Sequence, residues 1–246
     1  MPAGLDGNPD PIRSPRRDAV LAAVARLIDE RRAEGRPLLV AIDGIDGAGK
    51  STFADELAAH LSPEPATEAA AGVVRATIDG FHRPRADRWA RGRSSPVGFY
   101  LDSHDLDAVR RLLLDPFRSG PGATYRTAIF DEPSDRPVDA PPRLVAGGAL
   151  LLFDGIFLCR PELRPYWDVV VFLDGRERVQ LDRLGLVMAD APDGGRELVD
   201  HVLRWVERLD RYASGMRHYL ELDRPLAHAD LVIDNNDLAN PVIVTS

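Results

Sequence analysis

Lysine is almost missing from this chain of 246 residues: of 31 cationic side chains only Lys50 is a lysine. Arginine supplies the rest, and it is abundant together with Ala, Gly and Pro, the signature of a genome with biased base composition. The arginine excess therefore carries little chemistry by itself, while the position of the single lysine is informative. Cysteine is equally scarce. Cys159 alone cannot close an intrachain disulfide, which predicts a reducing compartment. Long apolar runs are missing too; none approaches the ~18 residues of a membrane span. Met1 to Asp10 carries Asp, Gly and Pro without an apolar core, so no secretory leader is expected there. These features together predict a cytoplasmic protein with no membrane partner. A basic face is not expected either: the net charge is -8, which argues against nucleic acid as a partner. The six histidines show neither H-x-x-x-H nor Cys/His spacing, so the pattern offers no zinc site.

The apolar share of 44% suits a globular chain and excludes wholesale disorder. Residues 1–13 read as a mobile tail and 14–246 as one domain. Ser14-Pro15 reads as an N-cap with proline in the first turn, and Val20, Leu21, Val24, Leu27 and Ile28 follow at helical spacing. Leu38–Ile42, Val73–Ile78, Gly148–Phe153, Val169–Leu173 and Leu231–Ile233 are short apolar runs of the kind that form buried parallel strands, with Thr127–Phe130 a weaker one. Helical stretches are expected at 51–61, 106–114, 176–189 and 196–222, the last kinked near Gly215. Strands alternating with helices predict an α/β fold, a parallel sheet with helices on both faces. The polar stretch 80–104 reads as a substrate loop.

Gly44-Ile45-Asp46-Gly47-Ala48-Gly49-Lys50-Ser51 fits G-x-x-x-x-G-K-[ST], between an apolar strand and a helix. Glycines let backbone amides turn inward around phosphate oxygens, and the helix after them presents its positive end. In this P-loop NTPase pattern Lys50 reaches the β and γ phosphates, and the Ser51 hydroxyl ligates Mg²⁺. The expected cofactors are ATP and Mg²⁺. A guanine-reading N-K-x-D motif would need a second lysine, which excludes a Ras-like GTPase switch.

In open α/β sheets ligands gather at the carboxyl ends of strands. Asp79, Asp154 and Asp174 sit at such ends. Asp79 opens the 80–104 loop and suits the carboxylate that phosphoryl transfer needs beside an attacking hydroxyl. Asp154 follows Leu150-Leu151-Leu152-Phe153, a Walker B pattern, and could hold the metal directly or through water. A capping or turn residue is the alternative for each, and it is the favoured reading only for Asp174.

These motifs resemble the uridine kinase and phosphoribulokinase group of P-loop kinases, which includes bacterial pantothenate kinases. The carrying residues are the Gly44–Thr52 loop, Ile78-Asp79-Gly80-Phe81-His82-Arg83, Phe153-Asp154-Gly155-Ile156-Phe157, Tyr166-Trp167-Asp168 and the Ala229–Asn235 stretch. The resemblance implies a kinase acting on a small-molecule hydroxyl, a nucleoside first, with pantothenate, a sugar or a sugar phosphate as alternatives. It implies Asp79 and Lys50 as catalytic groups. Gly44, Asp46, Gly47, Ala48, Gly49, Lys50, Ser51 and Thr52 would hold the nucleotide, with Arg183 and Arg196 in a small lid over 183–196. His82, Asp102, Arg211 and Arg217 would face the acceptor, and Ser51 and Asp154 the metal. The resemblance also suggests a homodimer. Tyr100, Arg83 and Arg85 in the 80–104 loop are further acceptor candidates; the loop's basic stretch, Arg83, Arg85, Arg88, Arg91 and Arg93, is either a solvated face or a site for an anionic acceptor such as a sugar phosphate or carboxylate.

The chain departs from the pattern in places. Val187-Met188-Ala189-Asp190 lacks the lid's second arginine, and Phe130-Asp131-Glu132-Pro133-Ser134-Asp135 replaces the stretch that reads uracil. These departures motivate a second expectation, a nucleotide-binding regulator without turnover.

Overall fold

A computed structural model describes residues 14–32, 35–62, 72–176 and 195–244. Helix α1 (Pro15–Arg31) starts where the sequence predicts it. The Ser14 side chain accepts a hydrogen bond from the Arg17 amide at 3.0 Å, and Pro15 opens the first turn, where its missing N–H costs nothing. Strand β1 (Leu38–Gly44) follows and is buried throughout. Helix α2 (Lys50–Leu61) leads to β2 (Val73–Thr77). Strands β3 (Leu150–Asp154), β4 (Val169–Asp174), β5 (Leu231–Asp234) and β6 (Val242–Val244) complete a six-stranded sheet.

The sheet order is β6-β5-β4-β1-β3-β2. All neighbours are parallel except β5 and β6, which pair antiparallel. The first five strands match the apolar runs in the sequence. Val242–Val244 was not among them; it is a three-residue edge strand with two exposed valines, too short and too open for an apolar run to reveal. The expected Thr127–Phe130 strand is instead Phe130–Asp131, in a two-residue ladder with Arg136–Pro137. The fold is the α/β arrangement of P-loop NTPases.

Strand β1 lies between β3 and β4, and this centrality explains its composition. Leu39, Val40, Ala41 and Ile42 have no solvent exposure, and each larger side chain so buried is worth about 1.5–3 kcal/mol. The register places the strand ends together. Ile42 and Thr77 both pair with Asp154, and Gly44 pairs with Leu173. The acid-bearing ends of β1, β2 and β3 thus meet along one edge of the sheet.

The 80–104 loop is clamped at its base. His82 bridges His104, the Arg83 amide donates to Ser103 O at 3.0 Å, and the Asp105 amide donates to Phe81 O at 2.8 Å. Within it lies helix α3 (Pro96–Asp102), capped by Ser95. The predicted 106–114 helix runs on to Ser119, passing through a π-helical stretch at Arg110–Leu114. Helix α4 (Gly195–Leu222) crosses α3 at Gly215. A Cβ there would lie 2.7 Å from the Phe99 ring, so glycine lets the helices approach, where the sequence suggested a kink. Residues 1–13 and 177–194, which include the expected tail and most of the lid, lie outside the described residues. No helix among the described residues is long and apolar enough to cross a membrane.

Candidate active site

The glycine-rich loop joins β1 to α2. Gly49 occupies the N-cap of α2 with φ 82°, a left-handed conformation that a side chain would strain, and it brings no capping side chain. The helix end is therefore capped by nothing from its own N-cap and faces the cradle. The loop is braced from behind: the Asn235 amide nitrogen donates to Ala48 O at 2.8 Å, and Arg17 reaches Asn235 Oδ1 at 3.3 Å.

Lys50 is buried and its Nζ donates to Ile45 O at 2.6 Å. Burial lowers its pKa, against the pull of Asp46, Asp43, Asp79 and Asp154. Four carboxylates around one ammonium make this the electrostatic centre of the site. Ser51 Oγ donates to Asp154 Oδ2 at 2.7 Å, while Arg75 pairs with Asp154 Oδ1 at 2.9 Å. Asp154 is almost fully buried. Two oxygen donors side by side, a hydroxyl and a carboxylate, match what Mg²⁺ accepts. With Oδ1 committed to Arg75, Asp154 has Oδ2 left for Ser51 or the ion.

Asp79 stands on a single 3₁₀ turn (Ile78–Phe81) after β2, its amide capped by the Thr77 hydroxyl. Its carboxylate is exposed, at 67% of the side chain, and faces buried His104 Nε2 at 3.9 Å. Burial by the surrounding protein would raise its pKa, but His104, His82 and Lys50 outweigh it and hold the carboxyl below its ordinary value. Asp79 is accordingly ionised at neutral pH. His82 donates from Nδ1 to Asp79 O at 2.9 Å, and its ring packs on His104 at 4.5 Å between centroids. The ligand atoms of Asp79, His82 and His104 lie within 4.8 Å of one another, a grouping that sequence spacing did not reveal.

Asp79, His82 and Asp46 line a cavity of about 540 Å³. Phe99, Phe130, Ile156 and Tyr212 give it an apolar wall, and Arg88 and Arg211 also line it. The cavity thus runs from the loop to α4, with Asp79 beside it.

The other expected acceptor residues do not line this cavity. Arg83 Nε donates to His104 O at 3.2 Å, which holds the histidine strand. Arg85 stacks on Trp89 with its guanidinium 5.3 Å from the ring. Tyr100 is buried and donates to Asp223 at 2.6 Å; burial and Asp223 push its pKa up. Asp102, at the end of α3, accepts from Arg91 at 2.8 Å in an exposed ion pair. Arg217 is exposed on α4. Arg183 and the side chain of Arg196 lie outside the described residues. Cys159 is buried and its thiol pKa is raised, so it is inert.

Several site residues escaped the sequence reading. Asp43, at the end of β1, is fully buried, accepts from Tyr219 OH and from the Gly44 amide, and its pKa is pushed up to about 6, chiefly by burial. Tyr219 in turn accepts from the Cys159 amide at 2.9 Å, so α4 is tied to the root of the phosphate loop. The available signals were an acid directly before Gly44 and a lone charge, Arg75, inside Val73-Val74-Arg75-Ala76-Thr77.

No protein-family model matches the chain. Solved structures do. A protein described as a possible uridine kinase from Bacillus stearothermophilus matches with a TM-score of 0.63 at 22% identity, over 88% of this chain and 96% of that one. The YGR205w protein matches with a TM-score of 0.58 at 14% identity, over 91% and 96%. A protein described as a fructose transport system kinase from Silicibacter sp. TM1040 matches with a TM-score of 0.50 at 22% identity, over 85% and 94%. At these identities the likeness is one of fold.

Proposed function

We propose that the protein is an ATP- and Mg²⁺-dependent kinase that transfers the γ-phosphoryl group to a hydroxyl of a small molecule. The observation that carries this reading is the meeting of Lys50, Ser51 and Asp79 at one sheet edge, with the cavity opening beside Asp79. The acceptor oxygen would bond to the γ phosphorus as the bond to the β-γ bridging oxygen breaks. ADP leaves, and the hydroxyl proton passes by way of Asp79 to solvent. A carboxyl with a lowered pKa is a weak base, so Asp79 serves first to orient the hydroxyl and takes its proton late, when the oxygen has become acidic. Lys50 would leave Ile45 O for the phosphates, a neutral partner exchanged for an anion. Bound Mg²⁺, held by Ser51 with Asp154 behind it, would neutralise charge on the transferring phosphates.

The likenesses to proteins described as a possible uridine kinase and a fructose transport system kinase support a kinase reading. The test is ADP release against a panel of nucleosides, pantothenate, sugars and sugar phosphates, with Asp79→Asn as control. Acceptor-stimulated ADP that falls sharply in the control supports the reading. Nucleotide binding with no stimulation by any acceptor favours the regulator reading instead.

A further inference from the structure

We infer that the acceptor carries an anionic group, a carboxylate or a phosphate, bound in the cavity by Arg211 with Arg88 beside it. The inference rests on the kinase reading and names the substrate class of the same cavity. Both guanidiniums belong to residues only 7% exposed, and both line the cavity. Arg88 is neutralised on one side: NH1 donates to Glu132 at 2.7 Å, and NH2 lies 3.5 Å from Asp135. Its Nε and NH2 make no hydrogen bond.

Arg211 is the more unusual of the two. Among the described residues it has no carboxylate within ion-pair distance. Its NH1 donates to the Arg93 carbonyl, its Nε is buried without a partner, and its guanidinium lies 5.7 Å from the Phe99 ring centre. Burial lowers its pKa; Tyr212 opposes this, and the charges of Arg88 and Arg93 add to the lowering. A buried cation without a counter-ion is costly to keep out of water. A planar fork with free donors is also the geometry that pairs with a carboxylate or phosphate. The cavity acids do not cancel this arrangement. Glu132 is already held by Arg88, and Asp131 accepts from the Ser134 amide. Asp46 and Asp79 answer to Lys50 at the loop end. Asp46 and Asp79 thus stand with Lys50, Glu132 stands with Arg88, and the Arg211 guanidinium, carried by α4, is left without a carboxylate among the described residues. An acceptor would place its hydroxyl at Asp79 and its anion at Arg211.

The experiment uses the full chain, with a non-hydrolysable ATP analogue saturating the phosphate loop so that added anions cannot bind there. Thermal unfolding is followed with three matched pairs: D-glycerate against glycerol, pantothenate against pantothenol, and ribose 5-phosphate against ribose. The first two pairs probe a carboxylate and the third a phosphate. At least one anion is expected to raise Tm by about 5 °C at a hundredfold excess over its Kd, with its neutral partner inert. In Arg211→Gln that shift vanishes while the shift caused by the analogue stays. Where Arg211→Gln does not fold, Arg211→Lys serves, with binding of the anion weakened about tenfold. In turnover the same anion stimulates ADP release, and Arg211→Gln raises its KM about a hundredfold. No added shift from any of the three anions overturns the inference, as does an equal shift in Arg211→Gln. ADP release stimulated only by neutral acceptors overturns it while leaving the kinase reading standing. Loss of analogue binding in Lys50→Ala tests the kinase reading alone.

Discussion

Acidification from pH 7 to pH 5 moves the stability in opposite senses through two buried groups of the site. His104 is held down to about 4 from 6.5, mainly by burial, with His82 and Arg160 adding to the effect and Asp79 opposing it. Its folded form binds fewer protons than the unfolded chain. The stability this supplies is full above pH 6.5 and is lost as pH falls toward 4; integrated from pH 7 to pH 5 the loss is about 2 kcal/mol. Asp43 is pushed up to about 6 from 3.8 by burial, against Tyr219, the Gly44 amide and Lys50. Its folded form binds more protons, so its contribution is full below pH 3.8 and is lost as pH rises through 6. The same acidification therefore returns about 1 kcal/mol through Asp43. The carboxyls with lowered pKa values, Asp79 among them, titrate below this window. The wild-type chain is accordingly expected to lose less than about 1 kcal/mol between pH 7 and pH 5. Urea unfolding at the two pH values, compared within each variant, cancels any pH-independent cost of a substitution. His104→Gln should become more stable at pH 5 than at pH 7 by about 1 kcal/mol, and Asp43→Asn should lose about 2 kcal/mol. If both variants keep the wild-type profile, the assignment of these two opposing titrations is refuted.

Three further outcomes follow from the site. Lys50→Ala should lose most of the ATP-dependent rise in Tm, because on the proposed reading this cation, acted on by four carboxylates, would meet the phosphates; unchanged stabilisation would defeat the cradle. Asp79→Asn should cut acceptor-dependent ADP release by about 10²–10⁴-fold while nucleotide binding persists, read as kcat against the nucleotide Kd. Tyr219→Phe removes one hydroxyl that bonds both Asp43 and the Cys159 amide, leaving two buried groups without it. It should lower unfolding stability by about 1–3 kcal/mol in urea. If stability is unchanged, the tie between α4 and the loop carries no load.

The parts of the molecule legible in sequence are those whose physics is local. A fully buried parallel strand must be apolar along its length, so β1, β3 and β4 are visible as runs. The phosphate loop needs glycine, lysine and serine at fixed spacing, because backbone and side chain close around one ligand. What escaped depends on contacts between distant segments. His104 becomes a site residue only because a bridge to His82 closes the 80–104 loop. Tyr219 meets Asp43 across most of the chain. Asp102 and Tyr100 lie in the segment expected to face the acceptor, yet Asp102 pairs with Arg91 and buried Tyr100 donates to Asp223. The cations show the contrast most clearly. Lys50 stood out because lysine occurs once, and its neighbours in sequence are its neighbours in space. Arg211 was one arginine among many in a composition that favours arginine, and Arg217, equally eligible on the same helix, is exposed. Only burial separates the two: a guanidinium taken out of water without a carboxylate is costly to keep, and a composition bias does not explain it. That cost is what links Arg211, and not the arginines around it, to the charge of the acceptor.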